Sequence, residues 1–345
     1  MSDRPINSRV SLRDIAKSLG LSHSTVSLAL RNHPRISEPV RTKIQQKAEE
    51  MGYEPDPMLT ALAYYRKSRQ ETPVRTAIAW LNAWKHPEQL RAYHEFDCYW
   101  KGASESAKKF GYHLEEFILN DELSPERLEG ILHARSISAI LIPPHQGGPD
   151  WGSFHWERFA AVRFGWSIRT PQVHLVTSDQ AGNTLLAVDK IREKGYRRIG
   201  FVYGRGARNA MFQAGFLMGQ AEMKPSERLP VLHLSESLPN DNAERLTAWL
   251  KKCKPDAILT DHAPLPGMLQ KLGYQIPGEL GLATLSVLDG NLDAGIDQNP
   301  VEIGRVAFLM AFTLINDNAR GIPPIFRQTL VSGKWVDGKS LPDRS

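Results

Sequence analysis

Residues 11–52 read SLRDIAKSLGLSHSTVSLALRNHPRISEPVRTKIQQKAEEMG. The stretch resolves into three helical periods. In the first, Ser11 is an N-cap with Asp14 three residues on, close to a capping box, and Gly20 ends a stripe of Leu12, Ile15, Ala16 and Leu19. The second is capped by Ser22 and turns Val26, Ala29 and Leu30 to one side. The third opens at Ser37, carries Val40, Ile44, Ala48 and Met51 inward and stops at Gly52. Only the "GLS" of residues 20–22 separates the first two helices, a turn too tight for parallel packing, so the unit reads as a helix-turn-helix.

The second helix contains a contradiction. Ser24, Ser27, Leu28 and Arg31 fall opposite Val26 and Leu30, which sets a large aliphatic group on an otherwise polar face. In a helix-turn-helix unit this face enters the major groove, where a leucine lies against a thymine methyl group and serine or arginine reaches polar edges or phosphate. The competing reading is a three-helix protein-interaction module.

Charge favours the first reading. Residues 1–70 hold twelve Lys and Arg against seven Asp and Glu, whereas the rest of the chain holds thirty-one of each. The whole excess of +5 therefore sits in the first fifth of the 345 residues, pointing to a polyanion as its partner. A hydrophobic fraction of 41% and a charged fraction of 23% are those of an ordinary globular protein, and no apolar run approaches the roughly 20 residues of a membrane span. The opening "MSDRPINSRVSLRD" has no apolar export core, so a cytoplasmic chain with no membrane partner is expected. Cys98 and Cys253 stand far apart without His or Cys at ligand spacing; neither a metal, a cofactor nor a disulfide framework is expected.

After the third helix, "YEPDPMLTALAYYRKSRQETPVR" (53–75) begins with two prolines, continues as a helix of about two turns from Met58 to Tyr65 and ends as a polar linker. So short a helix is marginal alone in water. Its Met58, Leu59 and Leu62 make an apolar ridge suited to a twin helix and to a wedge in the minor groove.

Taken together, residues 11–63 resemble the DNA-binding headpiece and hinge of the lactose-repressor and galactose-repressor (LacI-type) family of transcriptional regulators. The resemblance rests on "DIA" in the first helix, "STVS" in the second, "VR" in the third and the "GY" and proline before the hinge. It implies that His23 and Ser24 read bases, that Thr25 and Ser27 position the DNA backbone and that Leu62 is the minor-groove leucine. It further implies a homodimer on a pseudopalindromic double-stranded DNA operator. Two departures mark an atypical member: Leu28 stands where the family very often has arginine, and Leu59 where the hinge usually has alanine.

From residue 76 onward strand-like and helix-like stretches alternate: "TAIAWLNAW", "YWKGASESAKKFGY", "HLEEFIL", "SPERLEGILHAR" capped by Ser124, "AILIPP", then "AGNTLLAVDKIREKGYRRIGFVYG", "LPVLHLS", "AERLTAWLKKC" and "DAILTD". Such alternation gives parallel, doubly wound sheets, and at this length two lobes rather than one. The expected organisation is a helix-turn-helix headpiece at 1–54, a hinge helix and linker at 55–75, and an effector-binding and dimerisation body at 76–345. The fold class is an all-α headpiece joined to an α/β, two-lobed body that by resemblance is periplasmic-binding-protein-like, with a small-molecule effector, a sugar or sugar derivative, between the lobes.

Effector contacts are less legible. Asp179 falls at the family's aspartate and Asp261 ends "KPDAILTD"; both sit at strand carboxyl ends, where ligands of open α/β sheets bind, and either could instead cap the next helix. Phe96, placed just before the first body helix, falls where relatives carry a ligand-stacking aromatic, although a lone Phe also suits a core. The family's effector-binding arginine is replaced by Phe212 in "MFQAGF", and Arg208 lies one helical turn earlier. A solute-binding or enzymatic α/β protein with an accessory helical module is the alternative. "GRGARN" (204–209) lacks the third glycine of a dinucleotide loop, and "HPEQLRAYHEFD" (86–97) lacks the histidine pair of a zinc protease, so no enzyme is expected.

Overall fold

The computed structural model describes residues 10–30, 33, 35–53, 76–120, 123–145, 147, 149–204, 209–234 and 239–344. Arg31, the hinge helix with Leu62, and Arg208 lie outside the described residues.

Three helices form the headpiece: α1 (Leu12–Leu19), α2 (His23–Leu30) and α3 (Glu38–Glu50). The capping box of α1 is complete, with the Asp14 carboxylate accepting from the Ser11 backbone N–H at 2.8 Å and Gly20 closing the helix at φ 65°. Ser22 caps α2, accepting from the Thr25 N–H at 3.1 Å. Ile15, Ala16, Val26, Ala29, Ile44 and Ala48 make the buried core, with Leu12, Leu19, Leu30 and Met51 packed around it. Val40, expected inward, is exposed instead. It lies in the first turn of α3, one turn ahead of Ile44, and the core closes on Ile44 and Ala48 without it.

The body contains two six-stranded sheets. Strands of the first are β1 (Thr76–Asn82), β2 (Tyr112–Ile118), β3 (Ala139–Ile142), β4 (Ala160–Phe164), β5 (His174–Ser178) and β11 (Gln328–Val331), in the order β11-β5-β4-β3-β1-β2 and all parallel. The second runs β12-β10-β9-β8-β6-β7, from β6 (Ile199–Tyr203), β7 (Leu232–His233), β8 (Ala257–Thr260), β9 (Gly281–Thr284), β10 (Gly295–Asp297) and the antiparallel β12 (Lys334–Val336). Helices α4 (His94–Lys109), α5 (Pro125–Ala134) and α10 (Pro300–Asn316) cover the first sheet; α6 (Gln180–Glu193), α7 (Asn209–Ala221), α8 (Pro239–Cys253) and α9 (Leu265–Lys271) cover the second. Because each sheet is covered on both faces, its strands bury both alternating sets: Ile78 and Trp80 pack under α4 and α10, while Ala77, Ala79 and Leu81 pack under α5.

Three crossovers join the lobes, after β5, after β10 and between β11 and β12, so neither lobe is continuous in sequence. They are laced together. The Ser178 hydroxyl lies 2.5 Å from the Gln298 side-chain oxygen, the Asp179 N–H donates to the Val331 carbonyl at 2.9 Å, and the Gly333 N–H donates to the Asn183 side chain at 2.7 Å.

In the first lobe α4 and α10 touch backbone to backbone. A Cβ at Gly304 would run into the Tyr99 carbonyl oxygen, and one at Gly102 into that of Val301. Gly304→Ala is therefore expected to lower stability by about 1–3 kcal/mol, since neither obstacle can swing aside as a side chain would. Urea unfolding checks this; a variant as stable as the parent would mean that the helices separate freely.

The first body helix departs from its expected start. It begins at His94, which puts Phe96 in its first turn and not before it. "LPVLHLS" yields a strand of only two residues, Leu232–His233.

Candidate functional site

Two regions concern function: the outward face of α2 and the cleft between the lobes. On α2, the Ser22 cap leaves His23 and Ser24 exposed in the first turn. Thr25 is half-buried, its hydroxyl 2.8 Å from that of Ser22. Ser27 and Leu28 are half-buried one turn on, and Leu28 is not among the residues packed on the headpiece core. The helix thus presents its N-terminal side chains outward while Val26 and Ala29, fully buried, fix its rotation.

In the body, the carboxyl ends of β6, β8, β9 and β10 surround a cavity lined by Phe212, Asp261, Thr284, Ser286, Asp289 and Gln298. Its free space is about 30 Å³, room for a water or two. Asp261 accepts from the Gly204 N–H at 3.1 Å, so its carboxylate ties the ends of β8 and β6 as well as lining the cavity. Phe212, at the place of the family's arginine, is 1% exposed and packs in the core of the second lobe. Asp179 is the N-cap of α6, accepting from the Gly182 N–H at 3.0 Å. The next residue back, Ser178, meets the cavity-lining Gln298.

The first lobe offers an aromatic wall. Phe96 lies with its ring centre 5.3 Å from Tyr93, 5.7 Å from Tyr99 and 6.4 Å from Trp84. Behind it His145, 5% exposed at the carboxyl end of β3, pins the β1 and β3 ends together. Its Nε2 accepts from the Ala83 N–H at 2.8 Å and its Nδ1 lies 2.7 Å from the Pro143 carbonyl oxygen. Since a carbonyl only accepts and an amide N–H only donates, the ring is neutral with its proton on Nδ1. Burial pulls its pKa down to about 4.

The sequence had brought forward Phe96, Asp179, Arg208 and Asp261. It missed Asp289, Ser286 and Gln298. "SVLDGNLD" reads as an ordinary turn, and Gln298 is the middle one of three polar residues, Asp297 to Asn299, ahead of a proline-started helix.

A helix-turn-helix headpiece that exposes the N-terminal side chains of α2, together with two α/β lobes, is the organisation of a DNA-binding transcriptional regulator, and the comparisons with known proteins agree. Residues 11–56 match the family described as bacterial regulatory proteins, lacI family. The HTH-type transcriptional regulator MalR of Streptococcus pneumoniae serotype 4 is 23% identical over 346 residues, spanning 95% of this chain and 99% of the relative. Among solved structures, the transcriptional regulator CelR in complex with cellobiose superposes with a TM-score of 0.56 at 16% identity, covering 96% of this chain and 100% of that one. The lac repressor dimer bound to operator and the anti-inducer ONPF does so with 0.54 at 14% identity, covering 97% and 100%. The headpiece thus matches the lacI family, and over its whole length the chain is similar to an HTH-type transcriptional regulator. Among the described residues no helix is long and apolar enough to cross a membrane, and no group of three or more His, Cys, Asp and Glu could hold a metal ion.

Proposed function

We propose that the chain is a cytoplasmic, homodimeric repressor that binds a pseudopalindromic operator and responds to a small polar effector, a sugar or sugar derivative, in the interlobe cleft. Residues 1–54 form its DNA-binding domain, 55–75 its hinge and 76–345 its effector-binding and dimerising body. His23, Ser24, Thr25, Ser27, Leu28 and Arg31 face the major groove, and Leu62 of each subunit wedges the minor groove. Phe96, Asp179, Arg208 and Asp261 border the effector. The sugar reading is supported by the cellobiose named with one structural neighbour and the maltose operon named with another. An aromatic wall beside a carboxylate-lined cavity is chemistry that suits a sugar ring and its hydroxyls.

The observation that carries the DNA reading is Leu28: half-buried, on the outward side of α2 and apart from the headpiece core. A leucine offers the major groove only apolar contact, where the family's arginine can fork to a guanine O6 and N7. The facing base pair is accordingly expected to favour thymine or to be weakly discriminated. Leu28→Arg is expected to shift selected sites toward guanine at that one position, by about 1–3 kcal/mol, with headpiece stability nearly unchanged. Selection of bound sequences from a random duplex library with both proteins tests this. If the parent already demands guanine there, or the substitution unfolds the headpiece, Leu28 is not a reading residue.

A further inference from the structure

The cap of α4 comes from the opposite lobe. Its N-cap residue, Tyr93, has no side-chain capping bond, and the first N–H groups of any helix need partners. Two of them find one in Asp289: the His94 N–H donates to Oδ1 at 3.0 Å and the Glu95 N–H to Oδ2 at 3.1 Å. The His94 ring Nδ1 lies 3.2 Å from the same carboxylate. Asp289 is 195 residues away from His94, in the loop between β9 and β10, where its own N–H donates to the Ser286 hydroxyl at 3.4 Å. The contact is thus a two-pronged, charge-assisted bond from one lobe to the positive end of a helix in the other.

The same Asp289 lines the cavity with Asp261, Thr284 and Gln298. The carboxylate that bridges the lobes thus also borders the cavity at the strand ends of the second lobe.

We propose that Asp289 is a latch between the lobes, whose carboxylate holds the start of α4 against the second lobe and which must release before the lobes part to admit a cleft ligand. The second half of this statement rests on the reading of the cleft as the effector site; the first half does not. The latch lowers the apparent affinity for any cleft ligand by the fraction of time that it is open. Weakening it raises that affinity without touching the rest of the cleft.

The test uses the full chain without ligand, as parent, Asp289→Asn and Asp289→Ala, compared by hydrogen exchange of the peptide spanning residues 93–97 and by small-angle scattering. Exchange of the His94 and Glu95 amides is expected to speed up on the order of tenfold in the alanine variant and by less in the asparagine variant. The radius of gyration is expected to grow in the same order, while β1, β3 and β8 keep their protection. Unchanged exchange and radius in both variants would overturn the latch. Should the alanine variant loosen β8 and β9 themselves, the asparagine variant, which keeps the side-chain shape, carries the decision. Calorimetry with cellobiose and a panel of other sugars then separates the two ideas: variants that open as expected while no sugar binds any of the three proteins leave the latch standing and remove the sugar.

Discussion

Raising the salt fourfold, from 50 to 200 mM, is expected to weaken operator binding by about three to five decades, because each phosphate neutralised adds about −0.9 to the slope of log K against log salt and a dimer of this kind makes some six to ten such contacts. The prediction follows from where the charge lies. The excess of +5 is confined to the first 70 residues, and the body is balanced, so the headpieces and hinges alone must supply the phosphate contacts. Fluorescence anisotropy with a labelled operator over a salt series measures the slope. A body of residues 76–345 that binds duplex DNA as tightly as the full chain, or a slope near zero, would sink the charge argument.

Acidification is expected to destabilise the first lobe by about 3 kcal/mol between pH 6.5 and pH 4. The cause is His145. In the unfolded chain its imidazole takes up a proton near pH 6.5, whereas in the fold burial pulls its pKa down to about 4. The unfolded state therefore binds more protons over this window, stability falls as pH falls through it, and the full contribution is present above pH 6.5. The size follows from a depression of about 2.5 units at 1.36 kcal/mol per unit. Charging the ring would also turn Nε2 into a donor facing the Ala83 N–H, so the β1 and β3 ends lose their pin. Urea unfolding across the pH range, with the parent and His145→Gln, checks the point: the variant should lack this part of the slope. Equal slopes would mean that His145 protonates in place without cost.

How much of this could be read from the sequence depends on whether a signal was local. The headpiece was legible because Ser11, Asp14, Gly20 and Ser22 act within three or four residues of the backbone groups they satisfy. The strand-helix alternation likewise announces a doubly wound body. The start of α4 was not legible, and the reason is physical: "RAYHEFD" lacks a Ser, Thr, Asp or Asn at the cap, and the group that does the capping is 195 residues downstream. Phe96 was misplaced for that reason alone. The cleft suffered similarly. Asp179 and Asp261 stood out by position in a strand-loop pattern, but Asp289 and Gln298 acquire their importance only when two separate lobes are brought face to face. At Phe212 the sequence already announced a departure, and its burial agrees with a residue that fills core instead of offering charge.

The interleaving of the two lobes also sets an order of events at the ribosome. The core of the headpiece closes within residues 10–53, so it can form as soon as that segment has emerged. The first sheet cannot: α10 and β11, which complete it, are made only with residues 300–331. At about 5–20 residues per second, some 15 to 55 seconds of synthesis separate the two. For that interval a basic, folded headpiece is joined to a growing chain whose first sheet still lacks its last strand and one covering helix, leaving Val162, Phe164 and Val176 without the apolar cover they have in the finished molecule. Nascent chains are thus at their most aggregation-prone just before the end of translation, and shielding by a chaperone matters most there.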